Sequence, residues 1–420
     1  MKDINIKQLA TIAKHMICPK TLDSNHNKEF SSLGESDFKR YKFRHCSKNY
    51  KGDSNPSHLL SKTMEALSNC LTPEKETIIL LSDGKDSMAL AVALSRLNIK
   101  CKTLTLLRDE DDEMKGYIEK TCSSLGHEAY FVTVSSIIDT FDKQVFLRAC
   151  KLMKHAVLDQ GFIFFLFGLK KFFEETKLNP KNFQFIDGLG NDEHLGYLPS
   201  KLQQYSYKLS ELGLWKFKPS NITELNWYIR SPAESHGDLS ALACFFRFDD
   251  AYDLNLYFEK AQKGSDFIDF RAFSRGSFHD HQCMMEKTRV ATEYFGSTIS
   301  FPWTDDGLAD FCFNLPLHKK YDFLNTVNKL PLRKLLKEEI NWQQEKRGVD
   351  LYFDLELNLF INKIAIGIAP DWAVRKVVGN SFLPVNVKKR ALLELLNLSG
   401  FMIAKGYSHI EIESLLGKNF

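Results

Sequence analysis

The sequence predicts an α/β protein: a doubly wound parallel sheet followed by a helical C-terminal part. Three observations carry this. Four short apolar runs alternate with segments of helical spacing over the first half of the chain. The first run, Thr77–Leu81 (TIILL), is a compact β-branched and leucine stretch of the kind that becomes a buried parallel strand. Beyond about residue 200 the patterns are mostly helical, with no clear strand before 299.

Residues 1–56 are polar, with turn signals such as NHN, KGDSNP and SSLGES; one helix is expected near 5–16. Leu59, Leu60, Met64, Leu67 and Leu71 give helical spacing over 57–71. TIILL then ends abruptly at SDGKDS, and the helical pattern MALAVALSRL follows. A second strand (KCKTLTLL) covers 100–107, a polar turn (RDEDDE) leads to a helix near 113–125, and a third strand (AYFVTV) spans 129–134. Residues 141–176 read as one or two helices carrying the apolar run FIFFLFGL (162–169) as a buried face. FQFI (183–186) is a fourth strand, ending at the glycine-rich turn DGLGNDE. The expected organisation is a small irregular appendage at 1–56 and one domain at 57–420. That domain has its α/β core at about 57–200 and its helical part at about 200–420.

Composition excludes several classes. Hydrophobic content of 44% and charged content of 26% are those of an ordinary globular chain. A net charge of +3 gives no electrostatic footprint for nucleic acid or an anionic membrane. Nine cysteines without CxxC spacing argue against a disulfide framework, and no apolar run reaches the roughly 20 residues of a membrane span. With no signal-peptide pattern, a cytoplasmic location is expected, with no nucleic-acid or membrane partner.

The loop Ser82-Asp83-Gly84-Lys85-Asp86-Ser87 stands where a doubly wound sheet binds ligands, outside the carboxyl end of a strand. Backbone amides opening the next helix favour an anion there, and Gly84 permits close approach. Ser82 and Ser87 can donate hydroxyl hydrogen bonds. Asp86 repels a phosphate by its own charge, so its natural role is to bind Mg²⁺ bridging phosphates.

SDGKDS resembles the SGGxDS pyrophosphate loop of the ATP pyrophosphatases (PP-loop proteins). Gly188-Leu189-Gly190-Asn191-Asp192-Glu193, followed by Gly196-Tyr197, resembles the GxGxDE…GY segment of asparagine synthetases and their relatives. SFPWTDDGLADFCFNLP (300–316) matches a further family segment at Pro302, the aromatic at 303 and Asp305. Lys329-Leu330-Pro331-Leu332-Arg333 fits the family's KxxLR element. The four elements follow the family's order across roughly 57–340.

The resemblance implies ATP and Mg²⁺ as cofactors, with Asp86 and Asp192 as metal ligands and the main chain of Ser82, Asp83, Gly84, Lys85 and Ser87 holding pyrophosphate. Asp187 and Gly188 would lie beside the nucleotide, and the backbone around Leu106 would contact adenine. Lys329 would face the phosphates and the reacting carboxylate, a point charge where negative charge develops. The implied reaction is adenylation of a small-molecule or peptide carboxylate, followed by attack of an amine and release of AMP.

Three departures shape that expectation. Asp83 replaces a glycine and must point away from the phosphates. Leu189 stands where asparagine synthetases carry Glu and the β-lactam-forming relatives Tyr, so aspartate is not the expected substrate. Residue 2 is Lys and the segment ahead of the α/β part ends at residue 56, so an N-terminal glutaminase with its cysteine nucleophile is not expected. The amine would therefore belong to the substrate, as in lactam or macrolactam closure, or to a second molecule. Otherwise it would be ammonia, free or from a separate glutaminase. A non-catalytic nucleotide-binding relative is the alternative from another class. Elsewhere, His279-Asp280-His281-Gln282-Cys283 is read as a polar helix start, not a metal site. His15, Cys18, His45 and Cys46 have irregular spacing for zinc, and Asp109–Glu113 is read as a solvated helix start.

Overall fold

The computed structural model describes residues 4–18, 52–108, 111–196, 201–217, 231–235, 240–255, 258–259, 275–342, 364–365 and 367–417, with 351 and 356. Five strands form one all-parallel sheet: β1 (Glu76–Leu80), β2 (Lys102–Leu107), β3 (Glu128–Thr133), β4 (Phe183–Asp187) and β5 (Thr298–Ser300). Their order is β3-β2-β1-β4-β5, with Ile78 opposite Lys102, Leu80 opposite Asp187 and Gln184 opposite Thr298. The chain steps outward from β1 to β3, then returns to the other side of β1. That reversal opens a crevice at the carboxyl ends of β1 and β4.

Strand periodicity sorts the core into two layers. Ile78, Leu80, Leu104, Leu106, Phe183 and Phe185 face one side, and Ile79, Leu81, Leu107 and Ile186 face the other. The second side is covered by α2 (Leu59–Cys70), α3 (Lys85–Arg96) and α4 (Asp112–Leu125). The first side is covered by α5 (Val134–Asp139), α6 (Lys143–Leu152) and α7 (Gly161–Thr176). Both faces are buried, which is why these strands read as continuous apolar runs. On α7, Phe162, Phe164, Phe167 and Phe172 are all buried, as expected for the phenylalanine-rich stretch. Phe173 meets Phe185 of β4 edge-on at 6.2 Å between ring centroids.

The C-terminal region contributes α8 (Glu286–Phe295), β5, α9 (Asp306–Phe313), α10 (Leu330–Ile340) and α11 (Val385–Ala404). β5 pairs with β4, so the sheet does not end at about residue 200. Of the N-terminal segment expected as an appendage, residues 4–18 and 52–56 are described. Its helix, α1 (Ile6–His15), opens with a capping box of Asn5 and Gln8, and it buries Leu9, Ala10, Ile12 and Ala13 in the main core. An amphipathic stripe on so short a helix is stable only when packed. Residues 19–51, including His45 and Cys46, lie outside the described residues.

His279 and Asp280, read as part of a polar helix start, lie within the π-helical turns Arg275–Met285, and both side chains are buried. Of the acidic run, Asp109 and Glu110 lie outside the described residues, and Asp111 caps α4 through the Met114 amide at 3.3 Å. Among the described residues, no helix is long and apolar enough to cross a membrane, and no group of three or more His, Cys, Asp or Glu is arranged to hold a metal ion.

Candidate functional site

Two loops meet in the crevice. The first, Ser82–Ser87, turns from β1 into α3 and is closed by its own serines. Ser87 Oγ accepts from the Ser82 amide at 3.2 Å, and Ser82 Oγ accepts from the Gly84 amide at 3.1 Å. The hydroxyls expected to donate outward thus hold the loop's curvature. Lys85, Asp86 and Ser87 form the first turn of α3, where amides lack intrahelical acceptors and the helix dipole favours an anion.

The second loop follows β4. Gly188 sits where a Cβ would come within 2.8 Å of the Ser87 nitrogen and 3.1 Å of the Asp86 carbonyl carbon. Only glycine lets the second loop rest against the first turn of α3. Gly190 adopts φ 100°, a left-handed conformation that suits glycine, and the chain turns into Asn191–Glu193.

The third contribution comes from far along the sequence. Lys329 precedes α10 with φ 57° and ψ 39°, and its side chain is almost completely buried. Its Nζ lies 2.6 Å from Asp86 Oδ2 and 2.6 Å from Asp192 Oδ1. The side chains of Asp86 and Asp192 keep 29% and 26% of their exposure, so the triad opens to solvent on the carboxylate side. Burial alone would lower the Lys329 pKa; Asp192 and Asp86 outweigh it, and the net shift is upward. The two carboxylates thus favour the charged ammonium over the neutral amine.

Other residues hold this arrangement, and sequence reasoning missed most of them. Asn191 Nδ2 donates to Asp86 Oδ1 at 2.6 Å. Trp303, fully buried, donates from its indole to the Asp86 carbonyl at 3.2 Å. Trp342, just beyond α10, donates to the Asp83 carbonyl at 3.2 Å, and Lys85 Nζ lies 5.7 Å from its ring centroid. Thus α10 grips the loop at both ends. Asn191 lies inside a recognised motif and could have been found there. Nothing in the local sequence marks Trp342.

Of the other sequence-derived candidates, Asp83 is buried, and its charge bears on Tyr117 of α4, on the side away from β4. The Leu106 side chain packs into the core against Gly168, leaving only main chain at the end of β2 for a ligand. Asp187 is turned inward, with Oδ1 accepting from the Leu189 amide at 3.2 Å. Burial raises its carboxyl to about 6 despite Lys287 and the hydrogen bonds it accepts. Arg333 of the KxxLR element donates to the Asn328 carbonyl at 3.0 Å. Asp305 caps α9 through the Leu308 amide at 3.0 Å, a structural role.

Beneath the second loop lies a polar layer whose pairings the sequence reading did not foresee. Glu193 Oε1 is 3.2 Å from His281 Nε2, and its other oxygen is 3.8 Å from His194 Nε2. Burial pushes the Glu193 carboxyl well up and lowers His281 to about 4, the latter partly opposed by Asp280. Lys287 and Asp159 form a buried ion pair at 2.8 Å.

The donor set fits Mg²⁺, which takes one or two carboxylates together with phosphate oxygens and water. Asp86 and Asp192 are two partly exposed carboxylates within reach of one cation. The fold and site define an α/β protein with a five-stranded parallel sheet and a candidate site at its topological switch point. No family model matches the chain, and no curated protein matches it either.

Proposed function

We propose that the chain is a cytoplasmic, ATP-dependent, AMP-forming carbon–nitrogen ligase of the asparagine synthetase-like PP-loop type. The supporting observation is the convergence of Asp86, Asp192 and Lys329 at the crevice between β1 and β4. The strand order, the tight turn opening α3 and the close-approach glycine at 188 support the reading. None of the eight described cysteines forms a disulfide, in keeping with a reducing compartment.

In this reading a substrate carboxylate attacks the α-phosphorus of ATP and pyrophosphate leaves; an amine then attacks the acyl carbon and AMP leaves. The first-turn amides of α3 hold the pyrophosphate portion. Asp86 and Asp192 would hold Mg²⁺, which supplies charge neutralisation to the phosphates. Lys329 places its ammonium where charge builds on the transferred groups. Leu189 is half-buried and brings no polar group to its position in the second loop.

The test is calorimetry of Mg·ATP binding, followed by product analysis with candidate carboxylates. Asp86→Asn or Asp192→Asn should cut turnover by about a hundredfold or more with the fold intact. Products must be AMP and pyrophosphate. Formation of ADP and phosphate, or near-normal rates in either variant, would refute the proposal.

A further inference from the structure

The cation position between Asp86 and Asp192 carries an ammonium of the protein's own. Lys329 Nζ is 2.6 Å from both carboxylates, and the second oxygen of Asp86 is taken at 2.6 Å by Asn191 Nδ2. The lysine stem is buried, and the backbone at Lys329 stands in the left-handed region, which a non-glycine residue adopts at a cost. Both oxygens of Asp86 and Oδ1 of Asp192 are thus engaged by groups of the protein itself.

We infer that Lys329 is a resident cation: it closes the divalent-ion position until nucleotide phosphates draw the ammonium away, so that metal and nucleotide enter together. The inference rests on the reading of Asp86 and Asp192 as metal ligands. Two carboxylates with one ammonium leave a net charge of −1, a poor site for an ion that sheds water reluctantly. Phosphates reverse the balance. They add oxygen ligands for the ion and give the ammonium a new acceptor within the same crevice. A lysine is suited to this exchange because it is a compact charge on a flexible stem with three donors, not a planar fork bound in one geometry.

A distinctive sign follows. Removing a positively charged lysine from a nucleotide site would ordinarily weaken ligand binding, yet here it should strengthen binding of the free metal ion. Even with the attenuation of bulk water, loss of a unit charge a few ångströms from a divalent ion corresponds to at least about a tenfold gain.

The experiment is titration calorimetry of the full chain with MgCl₂, repeated with Mn²⁺, without nucleotide and then with α,β-methylene ATP. Wild type should bind the ion weakly alone and at least about tenfold more tightly with the analogue. Lys329→Met should bind Mg²⁺ alone at least about tenfold more tightly than wild type, and Mg²⁺ should raise its melting temperature more than that of wild type. A Lys329→Met chain that binds the free ion no better than wild type overturns the inference. If that variant does not fold, wild type still decides: equal ion affinity with and without the analogue overturns it. An Asp86→Asn chain that takes up metal and analogue as well as wild type would instead overturn the ligand assignment beneath both proposals.

Discussion

Gly188→Ala probes how closely the two loops must meet. The added methyl would stand 2.8 Å from the Ser87 nitrogen, 3.0 Å from its Cα and 3.1 Å from the Asp86 carbonyl carbon. All three are backbone atoms in the first turn of α3, so no side chain can rotate aside. The Asp86 carbonyl is also held by the indole of Trp303, which is fully buried. Ordinary contact would therefore require the second loop to retreat by about half an ångström. Overpacking of this kind costs about 1–3 kcal/mol. Gly188 is not in the left-handed region, so alanine also recovers about 0.4–1 kcal/mol by restricting the unfolded chain. The net loss should be about 1–2 kcal/mol, seen as a lower urea midpoint and a melting temperature reduced by a few degrees. Because the retreat separates Asp192 from Asp86, affinity for Mg·ATP should fall by more than stability does; calorimetry on the folded variant measures this. A variant with the wild-type midpoint and unchanged nucleotide affinity would show that the loops do not rest on each other.

Two other perturbations test the layer beneath the site. Lys287→Met should destabilise the protein by about 3–5 kcal/mol, because it strands the buried Asp159 carboxylate; adding Asp159→Asn should recover much of the loss, read from urea midpoints. Asp187 has a folded pKa of about 6 against a usual 3.8, so the folded state holds its proton longer. The associated stability is fully present below pH 4 and is lost as pH rises to 6, by about 3 kcal/mol. Asp187→Asn should remove that descending limb from the stability–pH curve; an unchanged limb would refute the assignment.

Much of the architecture was legible in the chain. Runs such as TIILL and FQFI declare buried parallel strands because both faces of the sheet are covered, and the alternation with helices implies crossovers of one hand. The two loops were legible because their glycines, serines and aspartates combine turn geometry with anion and cation chemistry over a few adjacent positions. The helix of residues 6–15 was visible too, although its burial was not, since an amphipathic stripe does not say what it packs against.

What only the tertiary structure decided concerns groups far apart in the chain. Strand order placed β4 beside β1, which set Asp192 against Asp86 across 105 intervening residues. The course of α10 then brought Lys329 to both carboxylates and Trp342 to the Asp83 carbonyl. The sequence showed two carboxylates able to share one cation; the structure supplied an ammonium as that cation. Likewise, nothing near Lys287 announces Asp159 as its partner, and nothing near His281 announces Glu193. Periodicity and turn chemistry act over a few residues and can be read locally. Desolvation and charge pairing depend on which distant segments share a buried volume, and only the folded chain defines that volume.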